Sequence, residues 1–277
     1  MIRLQRVRTK QAIPAVFRGT KRLEKALTLL VEAGVQREFD AEYWKKAKKQ
    51  LKIESGGKCA YCEASTTVVA HGDVEHFRPK SVYWWLAYCY DNYLFSCQIC
   101  NQLFKGDSFP LVDAMRRLRA PVLAPDATEA QQREFARRLA PDPLDAADGQ
   151  PWVEFEALCK AEGGNLLNPY VDDPEEHFVW EANAVLQEVA VRPRNHAAQR
   201  FQQAAEQFYG LNRPELLAER WKTFQKLDVF RKAFASPNID DALRDEIRDM
   251  LQLMMRDDAP FAAMCRYFVR QVWQLLL

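Results

Sequence analysis

No apolar run in the 277 residues approaches the ~18 that a membrane span needs, and the basic start Met1–Arg8 has no hydrophobic segment behind it. Neither a membrane span nor a signal peptide is expected, which predicts a cytoplasmic protein with no membrane partner. Glycine and proline are sparse, at 10 and 14 residues, and no segment repeats at a fixed period. Collagen-like, low-complexity and solenoid architectures are thereby excluded. Cysteine is limited to seven residues, an odd number that argues against a disulfide framework. What is present is apolar material, 48% of the chain with 12% aromatic, enough for one or two globular domains with a true core.

The formal net charge of +1 conceals a division along the chain. Residues 1–58 hold 15 Lys/Arg against 6 Asp/Glu, 121–190 hold 4 against 15, and 191–277 hold 14 against 11. A basic arm beside a neutral, aromatic-rich segment suits a polyanion, because Lys and Arg that neutralise phosphates release counterions. Taken alone, Lys45, Lys46, Lys48 and Lys49 read more simply as a solvated helix face.

Hydrophobic periodicity places a helix over 21–33 and a second after Asp40, the pair forming a basic helical arm, 1–54. A Cys- and aromatic-rich unit follows at 55–113. Residues 114–150, rich in Ala, Pro and Asp (Asp142, Asp145, Asp148), read as an insertion or linker with one short helix at 128–139. The region 151–277 reads as mainly helical with a short hairpin, Phe178–Glu181 against Val185–Val189, and a last helix striped from Phe261 to Leu276. The fold class expected is α+β: a small zinc-bearing centre embedded in a mainly α-helical protein.

Four of the cysteines are ordered as two C-x2-C knuckles, Cys59/Cys62 and Cys97/Cys100, separated by 34 residues. Two such turns supply four thiolates to a tetrahedral structural Zn²⁺. Cys89, Cys159 and Cys265 sit in apolar surroundings and read as packing residues. Between the knuckles lie Glu75 and His76, and Asn101 follows the second knuckle directly. A carboxylate and an amide oxygen suit a hard cation, Mg²⁺ or Mn²⁺, and a neutral imidazole is the natural base near pH 7. Lys80 and Lys105 are candidates to offset phosphate charge in a transition state, each equally readable as a surface lysine.

The series Cys59-x2-Cys62-Glu63, Val74-Glu75-His76-Phe77-Arg78-Pro79-Lys80, Asn92-Tyr93, Cys97-x2-Cys100-Asn101, Lys105-Gly106 and Leu167-Asn168-Pro169-Tyr170 resembles the HNH endonucleases. Within them it is most similar to the HNH subunit of Septu-type anti-phage systems, the PtuB-like family also found beside retrons. The resemblance implies a ββα-metal centre in which His76 is the general base, Glu75 and Asn101 hold the catalytic metal, and Asn92 fixes the loop and orients His76. Many HNH enzymes have His where this chain has Asn101. The family further implies nucleic acid, DNA or RNA, as substrate and a PtuA-like ATPase as partner.

Two other classes compete. A zinc-containing nucleic-acid-binding or adaptor subunit that docks an ATPase needs the knuckles and basic arm but not Glu75, His76, Asn92 and Asn101 together. A zinc-thiolate redox sensor needs a reactive exposed cysteine outside the four, and none stands out. The aromatic block Tyr83, Trp84, Trp85, Tyr88, Tyr90 and Tyr93 reads as core rather than as a base-stacking platform, and His71, His177 and His196 as exposed or structural.

Overall fold

The computed structural model describes residues 1–31, 38–66, 71–144 and 150–277. The chain opens with α1 (Gly19–Val31), α2 (Ala41–Lys45) and α3 (Lys48–Glu54). Ala26, Leu29 and Leu30 bury one face of α1; the expected extension to Ala33 lies outside the described residues. The single helix expected after Asp40 is broken at Lys46–Ala47, yet Tyr43, Ala47 and Leu51 keep a four-residue spacing and stay on one buried face.

Strands β1 (Asp73–His76) and β2 (Tyr93–Ser96) pair antiparallel, from Asp73 opposite Ser96 to His76 opposite Tyr93. This small sheet divides two cores. Alternation turns Val74, His76, Tyr93 and Phe95 to one side, where the rings of β2 pack with Phe17, Tyr43 and Leu51. Leu94 faces the other side, with Tyr61 and Cys100 in the larger core. Gly72, just before β1, has φ +58°, and a Cβ there would lie 2.3 Å from the Phe95 ring, so only glycine admits this entry to the strand. A seven-residue π-helical segment, Ile99–Lys105, follows β2 and packs against α6 (Gln199–Tyr209).

The helix expected at 128–139 is α4 (Glu129–Leu139), started by a reciprocal capping box between Thr128 and Gln131. It lies against α1 and α5 (Gln150–Ala161). The linker acids Asp145 and Asp148 fall outside the described residues. The hairpin consists of β3 (Phe178–Asn183) and β4 (Glu188–Pro193). Its turn is later than the sequence pattern suggests: Asn183 Oδ1 accepts from the Val185 and Leu186 amides, both at 3.0 Å, and this leaves those two apolar side chains exposed.

Helices α7 (Pro214–Phe234), α8 (Asp241–Met254) and α9 (Ala262–Arg266) complete the chain. The last helix is not continuous: after α9 it widens to a π-turn, Tyr267–Val272. Most of its stripe is covered from within, since Met264, Cys265, Phe268 and Val269 are buried and Phe224 of α7 packs on Phe268 at 4.7 Å; Val272 and Leu276 stay exposed. Among the described residues no helix is long and apolar enough to cross a membrane.

Candidate active site and cysteine centre

The first knuckle is a tight turn in which the Glu63 amide returns to Cys59 O at 3.0 Å, with Glu63 itself at φ +61°. The Ala60 amide donates to Phe95 O at 2.9 Å and so ties this turn to the end of β2, from which the second knuckle springs. The sulfurs of Cys59, Cys62, Cys97 and Cys100 consequently lie within 4.8 Å of one another, three of the residues buried and Cys97 half-buried. Four soft thiolate donors at that separation are compatible with a tetrahedral zinc site. Arg213 Nη1 stands 3.5 Å from Cys100 Sγ, where its charge favours the thiolate.

Glu75 and His76, adjacent on β1, point into the two different cores. On one side the Glu75 carboxylate is 3% exposed, meets Lys105 Nζ at 2.5 Å and accepts from Tyr61 Oη at 3.4 Å. Burial raises its carboxyl above the ordinary range, and Lys105 opposes that rise. On the other side His76 is 8% exposed, with Nε2 3.0 Å from Ala87 O. A carbonyl only accepts, so Nε2 carries the hydrogen and Nδ1 keeps its lone pair. Burial pushes the imidazole down to about 3, which leaves it neutral at pH 7. Trp44 and Tyr93 hold the ring edge-on, at 4.9 and 5.1 Å.

Asn92 pins the connection between the strands. Its Oδ1 accepts from the Arg78 amide at 2.8 Å and its Nδ2 donates to Arg78 O at 2.9 Å and Leu86 O at 3.4 Å, one residue from the Ala87 carbonyl that holds His76. Asn92→Ala would leave two buried backbone groups of Arg78 unpaired, and should lower stability by roughly 2–4 kcal/mol, measured as a denaturant-midpoint shift at constant m-value.

Asn101, in the first turn of the π-helical segment, is half-buried and lines a surface groove with Trp44, Lys45, Lys48 and Asp73. Beside it Gln102 donates to Asp73 at 2.8 Å, which fastens the helix start to the start of β1. Lys80 is half-buried with its ammonium 5.7 Å from the Trp44 ring, on the His76 side. Lys105 differs from the phosphate-contact reading. It is 1% exposed, paired with Glu75 and donating to His76 O at 3.0 Å, so its charge serves the interior of the unit.

The aromatic block is core: Tyr83, Trp85, Tyr88, Tyr90 and Tyr93 are all buried. Of the other histidines, His71 and His196 are exposed and His177 packs on Phe201 at 4.6 Å. Cys89 and Cys265 are fully buried packing residues. Sequence reasoning missed Trp44, Tyr61 and the Ala87 carbonyl. Tyr61, inside the first knuckle, stacks on Tyr209 at 3.8 Å while its hydroxyl reaches Glu75. Only its place between the two cysteines of the first knuckle hinted at such a role.

No family model matches the chain, and no solved structure matches it. The chain is similar to Septu protein PtuB of Bacillus mycoides (strain KBAB4), 28% identical over 249 residues that cover 83% of this chain and 69% of that protein. The likeness extends well beyond the stretch between the knuckles.

Proposed function

Since the chain is PtuB-like over most of its length, we propose that it is the nuclease subunit of a Septu-type anti-phage system, a metal-dependent HNH endonuclease working with a PtuA-like ATPase. The observation that carries this reading is the state of His76: neutral, with Nε2–H bound to Ala87 O and Nδ1 left as acceptor, on a strand pair followed directly by the knuckle and helix bearing Asn101. Zinc scaffolding alone requires none of this.

In this reading His76 Nδ1 takes a proton from water, and the hydroxide attacks a phosphodiester in line as the 3′ oxygen leaves. Asn92 keeps the Arg78–Ala87 loop, and with it the imidazole, in place. Lys80 and the groove lysines Lys45 and Lys48 attract the phosphate backbone. Mg²⁺ or Mn²⁺ bound by Glu75 and Asn101 would supply charge stabilisation of the phosphorane and the leaving oxygen. A carboxylate and an amide oxygen are donor types such a cation takes, and Glu75 Oε2 and the Asn101 amide have no hydrogen-bond partner among the described residues; Glu75, however, is paired with Lys105 on the Tyr61 side of β1, and His76 is on the other side. Residues 55–113 form the nuclease unit, and 151–277 offers surfaces for the ATPase.

A second reading, a non-catalytic zinc-containing adaptor, is favoured by one observation. The Glu75 carboxylate already has an internal cation in Lys105 at 2.5 Å. Co-expression with a PtuA-like ATPase separates the two. The nuclease reading expects co-elution in size-exclusion chromatography and cleavage of DNA or RNA by the complex with Mg²⁺ or Mn²⁺, reversibly stopped by mild EDTA. Co-elution without cleavage of either substrate would favour the adaptor.

A further inference from the structure

On the face of the sheet connection away from Trp44, between the N-terminal arm, α5 and α6, lies a cavity of about 310 Å³. Its floor includes Arg78 and Asn92, so it backs onto the loop that carries the Ala87 carbonyl. The volume is at the small end of what ligand pockets occupy. Nothing in the proposed cleavage reaction uses it.

The charges around it do not balance. Six basic residues line the cavity against three acidic ones, Asp91, Glu156 and Asp172. Four of the bases are already matched: Arg6 with Glu54 at 3.0 Å, Arg8 with Asp91 at 2.9 Å, Arg78 with Glu162 at 2.8 Å and Lys160 with Glu156 at 2.7 Å. Arg3 and Arg200, both exposed at the rim, have no ion-pair partner among the described residues, and the Arg200 guanidinium lies 4.4 Å from the Phe201 ring. The Asp172 carboxylate, whose pKa burial raises, accepts from the Asn168 amide at 2.7 Å. Arg6 adds an independent sign. Its Nε is buried without a hydrogen-bond acceptor, 3.6 Å from Asp91, a costly state for a guanidinium donor.

The walls are aromatic. Arg6 covers the Tyr170 ring at 3.5 Å and Arg78 the Phe109 ring at 4.9 Å, while Phe155 is half-buried with no ring or cation partner among the described residues. Guanidiniums without an ion-pair partner at the rim of an aromatic-lined cavity are the complement of a phosphate attached to a flat heterocycle.

We propose that this cavity binds a nucleoside 5′-phosphate, its phosphate on Arg3 and Arg200 and its base against Phe155. The same chemistry occurs in a free nucleotide and in the 5′-phosphorylated end of a strand.

Calorimetric titration of the full-length protein tests this without any cleavage assay, so its outcome is independent of the nuclease reading. The probes are the four ribonucleoside 5′-monophosphates, a 5′-phosphorylated trinucleotide, adenosine and inorganic phosphate. At least one monophosphate should bind saturably, with adenosine and phosphate each about ten-fold weaker or more. A trinucleotide that binds tighter than every monomer assigns the site to strand ends; equal or weaker binding assigns it to the free nucleotide. Arg200→Ala and Phe155→Leu, both away from the catalytic unit, should each weaken binding about ten-fold, and the exposed Arg200→Ala at unchanged melting temperature. Absence of saturable binding below about 1 mM, phosphate binding as tightly as every monophosphate, or full affinity in both variants would each overturn the proposal.

Discussion

Replacing Cys59 with serine should yield protein that is insoluble or unfolded, and freshly purified wild-type protein should contain about one zinc per chain. Four sulfurs lie within 4.8 Å of one another, three of them on buried residues, a spacing that a bound metal would lock. The knuckles tie a loop after α3 to the end of β2, and the helix start bearing Asn101 hangs from the second. Structural zinc contributes about 10–16 kcal/mol to folding in small domains, comparable with or above the roughly 5–15 kcal/mol that keeps a whole domain folded. Losing one ligand therefore threatens the entire unit. Circular dichroism and elemental analysis read the effect directly. A zinc-free, fully folded wild-type protein would show that the cysteines are only a thiol cluster.

How much of this was legible beforehand differs from residue to residue. The cysteine centre was plain, because C-x2-C fixes two sulfurs locally and only one partner pair was available. Helix α4 was plain for a similar reason, its start written in Thr128 and Gln131. Helix α8 was overlooked although Asp240 caps it and Ile247 and Leu251 bury its inner face; its outer face carries so many charges that the stripe is narrow. The π-turns at Ile99–Lys105 and Tyr267–Val272 have no sequence signature, since they arise where packing forces a helix to widen.

At the candidate site the residue types could be named from the sequence, but not their partners. Lys105 reads as one more surface lysine until the structure shows it beneath β1, because its partner Glu75 is 30 positions earlier and nothing local links them. Trp44 reads as a helix-face residue and is in fact a wall of the His76 pocket. The carbonyl of Ala87 is invisible to any motif, being backbone.

His76→Ala should reduce cleavage at least ~100-fold with the fold intact, the usual scale for losing a general base. The one hydrogen bond of the imidazole goes to Ala87 O, a carbonyl that Tyr93 Oη also satisfies at 2.7 Å. Truncation therefore leaves no orphaned acceptor, only a cavity beside Trp44 and Tyr93 of modest cost. Activity and stability should separate in this variant, whereas they fall together in Cys59→Ser. Because the ATPase contacts are expected outside the 55–113 unit, the variant should still co-elute with its partner.

The catalytic reading is tested most directly by single-turnover cleavage of DNA and RNA by wild-type and His76→Ala complexes, matched for zinc content and melting temperature, with Mg²⁺ or Mn²⁺ present. The nuclease reading predicts products from the wild-type complex and a rate at least ~100-fold lower for the variant. Equal rates from two equally folded complexes, or no product from the wild type with either metal and either substrate, would contradict it.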